Sequence, residues 1–299
     1  MIWLTWRQHR GEVIGVATLL GVLGVLALVT GIPMRAADAP CLQATEACEH
    51  TFRTFREQYG VLPLEIATWL QIVAVLAGVL IGAPLLAREY EHGTWQLAWT
   101  QGVSRTRWLS VKLILVLGFM AAAGLVLSLV MGWWLDPVIP VGFHPDRFNF
   151  AAPVYPSYIL LAVAMGVFFG AFIRRTVPAM AATFAVFLPL RLGVESGLRP
   201  SYRAPLSGDS GGWASGNWVL ERLFVDSAGR PLTRSAEEQL LNLASDGDLE
   251  AVARRLGFRQ STTYHPASRF WEFQFIEAAI FGGLALALTA LIVWRVRRG

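Results

Sequence analysis

The sequence predicts an all-α polytopic membrane protein with six transmembrane helices, and two observations carry that prediction. The 299 residues are 55% apolar and only 15% charged, with a mean hydropathy of +0.48, too little polar surface to cover a water-soluble domain. In addition, six apolar runs reach the roughly 17–25 residues that a helix needs to cross a bilayer.

These runs lie near 13–32, 65–87, 113–135, 155–173, 177–194 and 274–294. The fourth and fifth are separated only by Arg174-Arg175-Thr176, which predicts a tight hairpin with Pro178 in the opening turn of the second helix. Ahead of the first run, residues 1–10 place Ile2, Trp3, Leu4 and Trp6 before Arg7, His9 and Arg10. That pattern predicts an interfacial helix on the cytoplasmic surface. A cleaved signal peptide is the competing reading, but Val13 to Ile32 is about 20 residues long, a full span rather than a signal core.

Lys and Arg in short loops set orientation. Arg7 and Arg10, then Arg88, Arg105, Arg107 and Lys112, then Arg174 and Arg175, then Arg295, Arg297 and Arg298 share one side of a six-span chain. Both termini are therefore expected in the cytoplasm. Arg35, Arg53 and Arg56 run against the rule, diluted by Asp38, Glu46, Glu49 and Glu57. The net charge of +4 is small and the cations flank the spans, so a nucleic-acid partner is not indicated.

On the opposite side lie three segments of different character. In the first, about 33–63, Cys48, Phe52, Phe55 and Tyr59 recur at helical steps and predict an amphipathic helix ending at Gly60. Cys41 and Cys48 are the only cysteines and fall on the oxidising side, so a disulfide between them is expected; two unpaired small apolar residues are the alternative. The second, Asp136 to about Pro153, is rich in Pro and Phe without periodicity.

The third segment, 196–268, divides the chain into a membrane part (1–195), an outer segment, and the last span with its cytoplasmic tail (269–299). Glu195 to Gly216 reads as loop. Three short helices are predicted after it, making the segment small and helical. One starts at Asn217 with Trp218, Leu220 and Leu223. A second follows the capping box of Ser235 and Glu238 into Leu240 and Leu241. The third is capped by Asp248, presents Leu249, Val252 and Leu256, and stops at Gly257. The segment is too small to fold alone and is expected to lean on the spans and on the first outer loop.

Gly208-Asp209-Ser210-Gly211-Gly212 reproduces the nucleophile motif of chymotrypsin-like serine proteases. That chemistry needs a histidine base held by a carboxylate, here His50, His144 or His265, within a double β-barrel. No run of alternating strands supports such a barrel, so a glycine-rich loop is the better reading. There is also no H-E-x-x-H, no metal-spaced Cys/His cluster and no G-x-x-x-x-G-K-[ST] phosphate loop. No catalytic, cofactor-binding or metal-binding residue is predicted in this chain.

Ionisable groups inside spans are costly and often functional. Arg191 and Glu277 lie near the outer ends of the fifth and sixth spans, at depths that agree within roughly 6 Å at about 1.5 Å per residue. They are expected to form an intramembrane ion pair, against the alternative that each snorkels to water separately. Gln71, Gly124, Gly166 and Gly170 are assigned to helix packing.

The most patterned polar stretch is Arg88 to Lys112. It opens with Glu89 and Glu91, bends at Gly93-Thr94, and resumes as a short helical run with Trp95, Ala98 and Trp99 on one face. Gly102 can end that run and Ser104 can cap the next helix. Arg105, Arg107, Trp108 and Lys112 then mark a membrane–water interface.

This order, R-E-x-E-x-G-T after the second span, a short helix, then S-R and a Lys before the third, resembles the permease subunits of ABC-2 type transporters. MIWLTWRQHR and PASRFWEFQFIE resemble actinobacterial members; the resemblance does not extend to 196–268. The resemblance implies that 88–112 is a coupling loop whose helix rests on a separate ATPase, with Glu89, Glu91, Gly93, Thr94, Trp95, Trp99 and Arg105 as the coupling element. It implies two permeases, identical or homologous, on two ABC ATPase subunits in a bacterial cell membrane. ATP and Mg would bind those ATPases, and an amphipathic or hydrophobic drug, peptide or lipid would move outward. Pathway residues are expected from the first, second and fifth spans.

Two rivals come from other classes. A membrane sensor or assembly protein would use the outer segment to bind a ligand without transport. An ion-coupled secondary transporter should carry paired broken helices and midplane carboxylates, and the lone candidate, Glu277, sits too far outward.

Overall fold

The computed structural model describes residues 2–38, 61–93, 104–139, 142–208, 216–243 and 249–298. Among these, 6 helices are long and apolar enough to cross a membrane: Arg10–Ala36, Val61–Glu91, Thr106–Leu135, Val154–Ile173, Thr176–Ser201 and Ala267–Arg298. They bear out the predicted all-α membrane class and its six spans.

The first helix, α1, runs unbroken from Ile2 to Asp38. Residues 2–10 therefore do not form a separate interfacial helix, because Gly11-Glu12 carries no proline to stop propagation and the first turns join the span. Its outward side exposes Val22, Val25, Leu28, Val29 and Ile32, as suits contact with lipid. The buried side meets α3 (Arg105–Leu135), where Trp134 Nε1 donates to Thr30 Oγ1 at 2.9 Å.

The second span, α2 (Val61–Glu91), contains a π-helical stretch at Gly78–Gly82. Beside it runs α5 (Val154–Ile173), the most enclosed helix, with Tyr155, Tyr158, Ile159 and Ala162 all buried. Small residues bring the two backbones together. A Cβ on Gly166 would strike the carbonyl oxygen of Gly78, and one on Gly170 or Gly82 would lie 2.5 Å from the carbonyl of Ala83 or Val163. A Cβ on Gly124 of α3 would meet Ile159 Cδ1 at 2.9 Å. In lipid no hydrophobic force drives helices together, so such close packing is what holds them; Gly124, Gly166 and Gly170 are packing positions, as predicted.

The α4 helix (Pro145–Phe150) lies between α3 and α5. After α5, Arg174 at φ 59° and Arg175 make the predicted tight hairpin into α6 (Thr176–Gly193). Contrary to the loop reading from Glu195, α6 continues through a π turn at Val194–Leu198 and a 3-10 turn at Arg199–Ser201. The boundary drawn at 195/196 thus cuts a helix.

The outer segment is not wholly helical. It forms a 3-stranded antiparallel sheet in the order β1 (Leu206–Gly208), β3 (Arg259–His265), β2 (Trp218–Val225). It stands at the end of the bundle that the distribution of Lys and Arg marks as the expected outer face. The stretch read as a helix from Asn217 is β2. The Thr-rich β3 offers a pleated partner, and such pairing overrides a short helical periodicity. Asn217 instead caps the far end of the sheet, its Oδ1 accepting from Ala267 N at 2.8 Å.

The other two predicted outer helices are present as α7 (Arg234–Leu243) and α8 (Leu249–Arg255). The first begins one residue before Ser235, which therefore lies in its opening turn; Asp248 lies outside the described residues. Gly257, at φ 81°, ends α8 as expected: its N–H bonds Arg254 O, and Phe258 N–H reaches back to Ala253 O at 2.9 Å. The lobe leans on the second outer loop and on α9 (Phe270–Arg298) through an aromatic cluster of Phe143, Phe148, Trp218, His265, Phe270 and Phe273.

Candidate functional site

Two polar constructions lie at opposite ends of the bundle. At the inner end, the last turn of α2 is fastened to three other spans. The buried Lys112 of α3 donates to Glu89 Oε1 at 2.5 Å and to the carbonyl of Leu85 at 3.0 Å. Glu91 accepts from both N and Oγ1 of Thr176, at 3.1 and 2.7 Å. Its carboxylate thereby caps one of the free N–H groups at the start of α6, that of Thr176. Between them, Arg174 at the end of α5 lies 5.3 Å over the ring of Tyr90.

Gly93 then turns the chain at φ 69°, with its N–H on Tyr90 O and that of His92 on Arg88 O. That conformation strains any residue with a Cβ, which accounts for the glycine in the motif. Across the gap, Ser104 caps α3 as predicted, accepting from Arg107 N at 3.4 Å. Arg105 opens α3. Thr94, Trp95 and Trp99 lie outside the described residues, as do Cys41, Cys48 and Ser210.

At the outer end a network of buried polar groups crosses the bundle. Glu277 of α9 is bound by Arg199 through two bonds of 2.8 Å, receives the Tyr158 hydroxyl, and accepts from Tyr202 at 3.2 Å. The Arg199 guanidinium also donates to Asn149 Oδ1 at 2.9 Å and to Glu195 at 3.4 Å. Glu195 holds Arg191 at 3.0 Å. Asn149 donates to Gln71, whose own amide donates to Asp146 at 3.1 Å.

The expected ion pair is thus corrected. Arg199 is the direct partner of Glu277, and Glu195 is the direct partner of Arg191. The two predicted residues are linked indirectly, through Glu195 and Arg199 and through Tyr158, over whose ring Arg191 lies at 4.5 Å. Gln71, assigned to packing alone, is a junction of the network. Sequence reading missed Glu195 and Arg199 because it ended the fifth span too early. Extending the helix would have shown Arg191, Glu195 and Arg199 at i, i+4 and i+8 on one face. Nothing in the sequence marks Asn149 or Tyr158.

The family described as "ABC-2 membrane transporter related" matches residues 17–199, more than half of the chain, from within the first span to near the end of the fifth. The chain belongs to that family. Neither a curated protein nor a solved structure matches it. An ABC-2 protein of this kind is the multi-pass membrane component of an ABC transporter rather than its catalytic component, and membership implies an ABC ATPase partner. The matched stretch contains the inner fastening of this ABC-2 permease and most of its outer network, but stops before Tyr202 and Glu277.

Proposed function

We propose that this chain is the permease of an ATP-driven exporter in a bacterial cell membrane, with both termini in the cytoplasm. It works as one of two permeases, identical or homologous, above two ATPase subunits that bind ATP and Mg. The loop between α2 and α3 is its coupling element, with Glu89, Glu91, Gly93, Thr94, Trp95, Trp99 and Arg105 carrying contact and force.

One observation supports this reading above others: Glu91 caps α6 while Glu89 holds α3. A push on the loop therefore reaches α2, α3, α5 and α6 together, as a mechanical coupling needs. A loose solvated connection would need no such fastening.

A cavity of about 330 Å³ between α1, α2 and α3 is lined almost entirely by apolar side chains, including Val16, Leu20, Leu80, Met120 and Leu127, with Glu12 toward the inner end. Its character suits an amphipathic or hydrophobic cargo such as a drug, peptide or lipid. The outer network would hold the external mouth shut until the spans tilt.

Co-expression with the ABC ATPases of its own genome tests the reading. The expected result is a stable complex whose nucleotide hydrolysis rises with cargo and loses that response in E91Q and G93V. If no ATPase copurifies, and the outer lobe binds a ligand without transport, the sensor reading replaces this one. A C-terminal reporter fusion active on the outside would overturn the orientation.

A further inference from the structure

At the outer ends of α3 and α9 lies a second cavity of about 240 Å³. Its floor and walls are Ser128, Leu129 and Trp133 of α3, Phe150 at the end of α4, and Phe270 and Trp271 of α9. Ser128 is nearly two helical turns below the end of α3, so the cavity reaches about 10 Å into the bundle at about 1.5 Å per residue. Trp271 stands half exposed at the rim. Indole rings favour this depth, where apolar chain meets polar headgroup.

Charge gives the cavity a sign. Arg147 lines it, donating to the carbonyl of Gly132 and, at 3.0 Å, to Asp136. Arg35 approaches the same Asp136 at 3.5 Å, donates to Trp133 O at 2.7 Å, and stacks on the Trp133 ring at 4.8 Å. Two guanidinium groups therefore share one carboxylate, and Arg35 Nε is buried without an acceptor. Among the described side chains at this rim, the two cations Arg35 and Arg147 face the single carboxylate of Asp136. Both arginines sit at the face where the loop-charge rule disfavours them.

We propose that this cavity binds one anionic phospholipid of the outer leaflet, its phosphate against Arg35 and Arg147 and one acyl chain along Ser128 and Leu129. The combination selects that occupant. An apolar slot alone would take any acyl chain, a cationic amphiphile would meet a like charge, and a free anion would leave the aromatic walls uncovered. The site lies apart from the apolar cavity between α1, α2 and α3, and its lipid would be resident whether or not the chain exports anything.

The test is titration of the purified protein in detergent with dioctanoyl phosphatidylglycerol, dioctanoyl phosphatidylcholine and inorganic phosphate, read by the shift in melting temperature and by native mass spectrometry. The anionic lipid should bind about fivefold more tightly than the zwitterionic one, the effect of roughly one unbalanced cation beside a headgroup. R35Q should abolish that preference and D136N should enlarge it. W271A should weaken both lipids alike. R147Q should behave as R35Q; if it does not fold, R35Q and D136N decide alone. Equal binding of the two lipids, a preference that survives R35Q, or unchanged affinity in W271A would overturn the assignment. Full competition by inorganic phosphate would also overturn it, by showing a bare anion site.

Discussion

Arg199 and Glu277 join the end of the fifth span to the last span through two 2.8 Å bonds, and both side chains are buried. Seventy-eight residues separate them in sequence, and the whole sheet lobe is inserted between. The pair therefore closes the bundle beneath the lobe.

Breaking that pair should be severe. E277A leaves the buried Arg199 charge with only the longer 3.4 Å contact to Glu195, which also holds Arg191, at a cost of about 3–5 kcal/mol, so its melting temperature should fall well below that of an exposed-site control such as E238A. The swap R199E with E277R should recover part of the loss. R191E with E277R should recover none, because Arg191 answers to Glu195. Rescue by the second swap would contradict the assigned partners.

Close approach of α2 and α5 predicts a sharp contrast among glycines. G166V and G170V should prevent assembly, since a Cβ there collides with backbone rather than with a movable side chain. G282A, which faces open space on α9, should express and melt like the parent. Size-exclusion profiles of the three variants give the comparison.

At the inner end, E91Q should separate coupling from stability. The amide can still accept from Thr176, yet it loses the negative charge that favours a helix N-terminus. Transport driven by the ATPase should fall far more than melting temperature. E91A, which also removes the acceptor, should lower both. Equal melting and transport losses in E91Q would point to a purely structural cap.

Acid should loosen the outer lobe through His265. This ring is buried, its Nε2 bonded to the carbonyl of Pro200 at 2.9 Å. Burial chiefly, with Arg269 nearby, pulls its pKa below the ordinary 6.5. A His with a depressed folded value is neutral in both states above 6.5. Below that, the unfolded chain takes up the proton first, so stability is lost as pH falls toward the folded value. Protection of the β3 amides, taken relative to the intrinsic exchange rate at each pH, should fall between pH 7.5 and pH 5.5, and H265N should flatten that dependence while keeping a donor for Pro200.

Much of this molecule was legible in the chain because lipid is an unforgiving solvent: every backbone polar group within it must bond internally, so an apolar run of sufficient length has to be a helix. Hence the six spans, the Arg174-Arg175 hairpin, the Ser104 cap, the Gly257 stop and the packing glycines followed from local pattern and steric need. The motif at Glu89, Glu91 and Gly93 also identified the family, since its spacing is local. Outside the hydrocarbon that constraint lapses. Trp218–Val225 became a strand because β3 lies beside it, and Glu277 found Arg199 rather than Arg191 because α6 outran its apolar run by two turns. Partner choice among buried charges depends on distances between segments far apart in sequence, and only the folded bundle sets those distances.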